Sequence, residues 1–340
     1  QSLAATAPAL DPWSTVDDLT PGNPALRRQI ALRYLADGLR VHTDEIVVTK
    51  AEHHSVLLPF QELALRTGAT LKWFDLDEEG RVRSDTANEV ITDRTKIVAV
   101  THVGNTTGAI TDIAPIIRRA HEVGAVFVLD ACQSVPHLKV DFHALDVDFA
   151  AWSAHKMYGP TGVGFLYGKR EMLEALPPAN FGGSMVELAW MDQEAQYMEP
   201  PARFEAGTQP VAQVVAAGVA AEWLMNIGME NLEAHERTIT DELLKMGDID
   251  GIRILGPRSN KERIGTVAFE VEGVHPHDVG QFIDAQGIAI RVGHHCAQPV
   301  HRHFGVYASN RASSGIYNSV EDAQALIEAL GKVRPFFGVE

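Results

Sequence analysis

Two cysteines in 340 residues, Cys132 and Cys296, are too few for a disulfide framework, so a reducing compartment is the expectation. Positive charge is scarce as well: 29 Lys and Arg face 45 Asp and Glu, a net charge of −16 with histidine neutral. That deficit argues against nucleic-acid partners and against a membrane surface, since both require excess positive charge to meet phosphates. Long apolar runs are missing. The longest uncharged one, Pro210 to Ala221, stops at Glu222, short of the roughly 20 residues a membrane span needs. Gln1 to Leu10 lacks the basic start of a signal peptide. A soluble, cytoplasmic protein is expected. The remainder is ordinary for a globular chain, with 45% apolar and 22% charged residues, ample for a large core.

From Glu45 to about Gly168, short β-branched runs alternate with helix-like stretches, the pattern of parallel strands joined by crossover helices. The runs are Glu45–Thr49, Thr70–Phe74, Lys96–Thr101, Ala125–Asp130, Asp148–Ser153 and Gly162–Tyr167. The last follows its neighbour by too short a turn for a crossover helix and is expected antiparallel. Between two of the runs, Thr111 or Asp112 can cap a helix that Gly124 ends. Helices are expected over Pro210–Ile227 and Asn231–Met246, strands over Gly265–Val271 and Ile288–Val292, and a final helix over Val320–Val333 capped by Ser319. The class is α/β, a mixed and mostly parallel sheet with helices on both faces. Its division is an atypical front segment 1–43, a large domain 44–235, and a smaller α+β domain 236–340 carrying the Cys296 loop.

In open α/β sheets ligands sit beyond the carboxyl ends of the strands. Three strand ends finish in polar residues: Thr101 through Asn105, Asp130 through Gln133, and Ser153 through Lys156. An aspartate closing a hydrophobic strand, with a lysine about one strand later, is what pyridoxal phosphate demands. The carboxylate keeps the pyridine nitrogen protonated and the amine forms a Schiff base. Asp130 and Lys156 suit those roles; a helix cap and a solvated turn lysine are the plainer alternatives. His53, in Glu52-His53-His54, could stack its flat ring on a cofactor or be a solvated loop histidine. Cys296 follows a strand in Arg291-Val292-Gly293-His294-His295-Cys296, an electropositive setting that favours thiolate. His294, His295, Cys296, His301 and His303 also resemble a zinc set, but adjacent histidines seldom point the same way and no Cys-x-x-Cys accompanies them. No metal is expected.

These residues carry a family resemblance. From about Asp44 the chain resembles the SufS-type cysteine desulfurases of the class V aminotransferase group, which are fold-type I, pyridoxal-phosphate-dependent enzymes. The matching pieces include Glu52-His53-His54, Thr101 to Asn105, Asp130 to Gln133, Ser153 to Gly162, Arg203 to Thr208, Arg291 to Pro299 and Arg311-Ala312-Ser313. The resemblance implies Lys156 as the Schiff-base lysine, Asp130 as the pyridinium partner and His53 as the ring-stacking histidine and a proton carrier. It implies Gln133 on the ring's phenolic oxygen and Asn105 beside ring and substrate. Ser153 and His155 would hold the phosphate, joined by Thr208 of the neighbouring subunit of a homodimer. Arg311 would grip the substrate carboxylate, and Arg291 would lie near the reactive sulfur. The implied reaction converts L-cysteine to L-alanine, leaves a persulfide on Cys296, and passes the sulfur to an acceptor protein of iron–sulfur cluster assembly.

The front of the chain departs from that pattern. Family members carry roughly 120 residues before the Glu-His-His segment, including a Thr-Glu-Ala turn at a helix start that binds the cofactor phosphate; here 51 precede Glu52 and the turn is absent. Residues 1–43 resemble instead the front of aminotransferases fused to GntR regulators, with a helix expected over Ala25–Asp37, Asn23 as its cap and Pro24 at its first position. Weakened cofactor binding is the expectation from that departure. Smaller departures are Val56, Phe60 and the Ser314-Gly315 pair. Competing functions are a selenocysteine lyase or another class V aminotransferase, in which Cys296 would be dispensable, and an inactive homologue serving as an interaction module.

Overall fold

The computed structural model describes residues 44–178 and 180–339. The helix expected over Ala25–Asp37 and the expectation for residues 1–43 lie outside them.

The first half of the chain builds β1 (Glu45–Thr49), α1 (His54–Thr67), β2 (Thr70–Phe74), α2 (Ala87–Val90), β3 (Thr95–Thr101), α3 (Ala114–Glu122), β4 (Val126–Asp130), β5 (Phe149–Ser153) and β6 (Gly164–Gly168). The six strands form one sheet in the order β2-β1-β3-β4-β5-β6. Every neighbouring pair is parallel except β5 and β6, which run antiparallel as the short turn predicts. Because successive side chains alternate between faces, Val47, Val98, Val100, Phe127 and Leu129 enter the core beneath α3. Ile46, Val48, Ile97, Ala99 and Val128 enter the opposite core with Phe60 and Leu63 of α1. Both faces are covered, which is why these strands read as near-continuous apolar runs. Gly68 ends α1 in the left-handed conformation at φ 74°, a glycine's usual service at a helix end.

After β6 come α4 (Arg170–Ala175), the small hairpin β7 (Val186–Leu188) and β8 (Gln196–Tyr197), and two long helices, α5 (Val211–Ile227) and α6 (Met229–Leu244). A second, antiparallel sheet follows, made of β9 (Ile252–Leu255), β10 (Thr266–Val271), β11 (Arg291–Gly293) and β12 (Ser309–Ser313) in the order β11-β12-β10-β9. It is backed by α7 (Pro276–Asp284) and α9 (Val320–Leu330), with α8 (Gln298–Phe304) between β11 and β12 and α10 (Val333–Phe336) at the end. Ser319 closes a full capping box with Asp322 at the start of α9.

Several expected boundaries differ: the final helix stops at Leu330 rather than Val333, and α3 is preceded by Ile113 with no side-chain cap. Ala114, the first residue of α3, donates to Asp112 Oδ1, whereas Thr111 turns its hydroxyl to the Thr101 carbonyl. The strand expected over Ile288–Val292 begins only at Arg291, because Ile288 N–H is taken by the Ile283 carbonyl at the end of α7. The helix expected over Asn231–Met246 starts at Met229 and tightens after Leu244 into a single turn, Lys245–Asp248. We propose α6 as the joint between the two domains. It passes through the 235/236 boundary unbroken, with Leu232 in a cluster alongside Met157 and Leu224 and with Ile239 and Leu243 in the core of the second sheet.

The two sheets are tied at the β3–α3 loop. Ile110 N–H donates to the Glu262 carbonyl and Ile264 N–H to the Gly108 carbonyl, each at 2.9 Å. The buried Arg263 guanidinium donates to the carbonyls of Pro257, Thr107, Ile264 and Thr266. Gly108, at φ 71°, allows this approach; a Cβ there would collide with the Thr266 carbonyl. Burial lowers the Arg263 pKa to about 10. Among the described residues no single helix is long and apolar enough to cross a membrane.

Candidate active site

The carboxyl ends of β1, β3, β4 and β5 share one rim, because these strands are parallel. Asp130 is the last residue of β4 and pairs in register with Thr101 of β3 and Ala151 of β5. Its side chain is buried, and Oδ1 accepts the Cys132 amide at 3.0 Å. Ser153 closes β5 and is buried, its hydroxyl 3.8 Å from Cys132 Sγ. The single turn Ala154–Lys156 follows at once, which sets the half-buried Lys156 one strand over from Asp130, with His155 exposed. Gln133 is half-buried three residues beyond Asp130.

At the end of β1, His53 caps α1: Nδ1 accepts the Ser55 amide at 3.1 Å and lies 2.6 Å from the Ser55 hydroxyl. An acceptor at Nδ1 leaves the proton of the neutral ring on Nε2. Glu52 beneath it is fully buried and accepts from the Thr49 hydroxyl and the Thr101 amide, both at 2.8 Å, joining the ends of β1 and β3. His102 is also buried, and that burial lowers its pKa to about 4.

The second sheet brings the remaining residues to this rim. Arg311 on β12 donates to the Asn105 carbonyl at 2.8 Å, and Asn105 Nδ2 donates to the His295 carbonyl at 2.6 Å. Arg291 on β11 is the register partner of Arg311 and lies 3.9 Å from the sulfur of the half-buried Cys296. Burial, then the positive charge of Arg291, holds the Arg311 pKa down to about 10. Two buried polar atoms here, Asn105 Oδ1 and Arg311 Nε, have no hydrogen-bond partner. The Arg311 Nε–H can therefore still donate to an anionic group, and Asn105 Oδ1 can still accept from a donor.

His295 and Cys296 hold left-handed backbone angles, φ 51° and 56°. For residues other than glycine this costs on the order of 1–2 kcal/mol each, so surrounding contacts must impose it. One is a buried strut. His301 Nδ1 donates to the Ala297 carbonyl, so its Nε2 accepts from Ser309 Oγ at 2.9 Å, and His295 Nε2 donates to the same hydroxyl at 3.0 Å. Burial, with Arg311 and His301 nearby, lowers the His295 pKa to about 3, so the ring is neutral. A second is His54, whose N–H donates to the Cys296 carbonyl at 2.8 Å and whose Nε2 accepts from Gln298 N–H at 3.1 Å. His303 turns instead to the Asp77 carbonyl. Among the described residues no group of three or more His, Cys, Asp or Glu side chains is arranged to hold a metal ion.

The structure thus places His53, Asn105, Asp130, Ser153 and Lys156 on one rim, with Arg291, Arg311 and Cys296 brought over it. Thr208 stands apart, exposed in the bend before α5. Glu52, His54 and Ser309 received no role from sequence, and His301 was weighed only as a zinc ligand. Glu52 had a visible signal, an acid three residues beyond a strand that ends in threonine.

A sheet of this order, with a carboxylate and a lysine at adjacent strand ends, is the architecture of the fold-type I pyridoxal-phosphate-dependent transferases. The model of the class-V aminotransferase family matches residues 28–326, and the chain belongs to that family. It is 48% identical over 298 residues to a probable cysteine desulfurase 2 of Mycobacterium leprae, covering 87% of this chain and 71% of the relative. It is 46% identical over 309 residues to a probable cysteine desulfurase of Streptomyces coelicolor, covering 90% and 74%. Among solved structures it resembles the cysteine desulfurase CsdA of Escherichia coli, with TM-score 0.86 and 34% identity over 92% of this chain and 77% of that one.

Proposed function

We propose that the protein is a cysteine desulfurase that converts L-cysteine to L-alanine and leaves a persulfide on Cys296. The observation that carries this reading is the convergence of a thiol, two arginines and a strand-end lysine and aspartate on one rim. The relatives' activity supports it, and the Cys296 thiol separates it from transamination, which needs no nucleophilic sulfur.

The residues present fit pyridoxal phosphate: Lys156 would hold it covalently, Asp130 would face its ring nitrogen, and Gln133 its phenolic oxygen. His53 would stack on the ring, with Asn105 beside ring and substrate. Ser153 and His155 would hold the phosphate together with Thr208 from a second copy. Bound there, the cofactor would supply an electron sink for the substrate's α-carbon. Arg311 would take the substrate carboxylate as a fork, and its unpartnered Nε has capacity for that. His53 would carry a proton on Nε2. Cys296, as thiolate, would attack the substrate sulfur; the carbon–sulfur bond breaks, a sulfur–sulfur bond forms, and the freed carbon takes a proton to give alanine. Arg291 at 3.9 Å would offset the thiolate charge.

The enzyme would act as a homodimer, since Thr208 adjoins the exposed Val211, Val215 and Val219 of α5. It would work in the cytoplasm, where thiols stay reduced, and pass its sulfur to an acceptor protein of iron–sulfur cluster assembly. The test is incubation with L-cysteine and added cofactor. Equimolar alanine and a Cys296 peptide heavier by one sulfur atom support the reading; transamination surviving in Cys296→Ala, with no alanine formed by the wild type, overturns it.

A further inference from the structure

The thiol must meet a substrate held by other elements, yet it sits on a loop whose backbone runs through two left-handed residues. Asn105 and the Ser309 strut both act on His295, one residue before it. On the other side of the sulfur, the His301 end of that strut holds the Ala297 carbonyl, and His54 alone among these ties holds the Cys296 carbonyl and the Gln298 amide. The grip has two points, the His54 amide on the Cys296 carbonyl and the His54 ring on the Gln298 amide.

The ring contact answers a specific shortage. The first amides of a helix have no carbonyl behind them, and Ala297, which precedes α8, offers no side-chain cap. Pro299 has no N–H, while Val300 and His301 both turn back to the Ala297 carbonyl. Gln298 N–H is the one left over, and the imidazole takes it. For this, Nε2 must be bare and the ring neutral. Burial, then the neighbouring His294, shifts the His54 pKa below its ordinary value, in keeping with that state. Ala51, just before this turn, and Ala297 also lie in one apolar cluster with Leu255, Ala268 and Val300, so the two loops are packed as well as bonded.

We propose that His54 is the positioning residue for Cys296, a two-point clip that fixes the sulfur-bearing loop to the same turn that carries His53. The inference rests on the reading of Cys296 as the sulfur-accepting thiol. Its consequence is geometric. The ring proposed to face the cofactor and the clip that holds the nucleophile are consecutive residues on the cap of one helix, so thiol and cofactor keep a common frame.

Three variants separate the hydrogen bond from the bulk of the ring. His54→Leu removes the acceptor, His54→Asn carries an oxygen too short to reach, and His54→Gln places an oxygen near the position of Nε2. The first readout is the rate at which iodoacetamide alkylates Cys296 in the substrate-free protein, followed on the Cys296 peptide by mass spectrometry. The second is kcat and KM for L-cysteine in the cofactor-loaded enzyme. His54→Leu and His54→Asn are expected to shift the alkylation rate and lower kcat by about tenfold, roughly the factor one hydrogen bond is worth. KM stays within about twofold, because Arg311 and Asn105 are untouched. His54→Gln recovers most of both losses. Wild-type alkylation in the Leu and Asn variants, or equal impairment in all three, overturns the proposal; should Leu not fold, the contrast between Asn and Gln decides. A wild-type protein that makes no alanine would defeat the desulfurase reading, and the alkylation series would still decide the clip.

Discussion

Arg291 and Arg311 stand directly opposite each other across β11 and β12, and the Arg291 guanidinium is 3.9 Å from the Cys296 sulfur. Like charges paired across strands are unfavourable, and burial of Arg311 sharpens the cost. An anion is the natural partner for such a pair, and the proposed substrate brings a carboxylate. Arg311→Lys keeps the charge but loses the fork. Its KM for L-cysteine is expected to rise by about 10–100-fold, the worth of one charge-assisted hydrogen bond, with kcat changed less. Steady-state kinetics over a range of cysteine concentrations would show this, and an unchanged KM would remove Arg311 from substrate binding.

Glu52 joins two strand ends from a fully buried position. Glu52→Ala strands the Thr49 hydroxyl and the Thr101 amide, at roughly 1–3 kcal/mol for each buried group left unpaired. The urea midpoint is expected to fall accordingly; a midpoint equal to wild type would mean that water replaces the carboxylate.

Acid should weaken the fold through two buried histidines. Burial holds the pKa of His102 at about 4 and that of His295 at about 3, below the roughly 6.5 of an ordinary imidazole. Between those values the unfolded chain binds more protons. Stability is therefore complete above about pH 6.5 and is lost as pH falls toward 4 for His102 and 3 for His295, each histidine contributing up to about 1.4 kcal/mol per pH unit. Urea melts at pH 7.5 and 5 would measure the slope. His102→Leu should remove its share, and an identical slope in that variant would refute the assignment.

Gly108→Ala should cost more than about 1 kcal/mol, because it combines a left-handed backbone angle with a collision against the Thr266 carbonyl. Thermal unfolding would register the loss; a wild-type melting temperature would show that the β3–α3 loop can move aside.

Much of the first sheet was legible in the chain. β1 and β2 lie where their apolar runs place them, and the rim residues follow from strand ends in a parallel sheet. β12 was not legible, because Ser309-Asn310-Arg311-Ala312-Ser313 has no apolar alternation, and its burial comes from lying between β10 and β11. The ties on the Cys296 loop were hidden for another reason. Asn105 and His295 stand 190 positions apart and His54 and Gln298 stand 244 apart, so only the assembled sheets reveal them.

The Arg263 anchorage bears on how a substrate could enter. One guanidinium bolts four carbonyls drawn from the β3–α3 loop and the approach to β10, and Arg81 adds bonds to the carbonyls of Lys261 and Glu262. Swinging one sheet away from the other would break the Arg263 bond to Thr107 and both Arg81 bonds together, at about 1.5–3 kcal/mol for each bond to a charged donor. Admission and release therefore fall to short-range rearrangements at the mouth, with the scaffold behind it behaving as a single block.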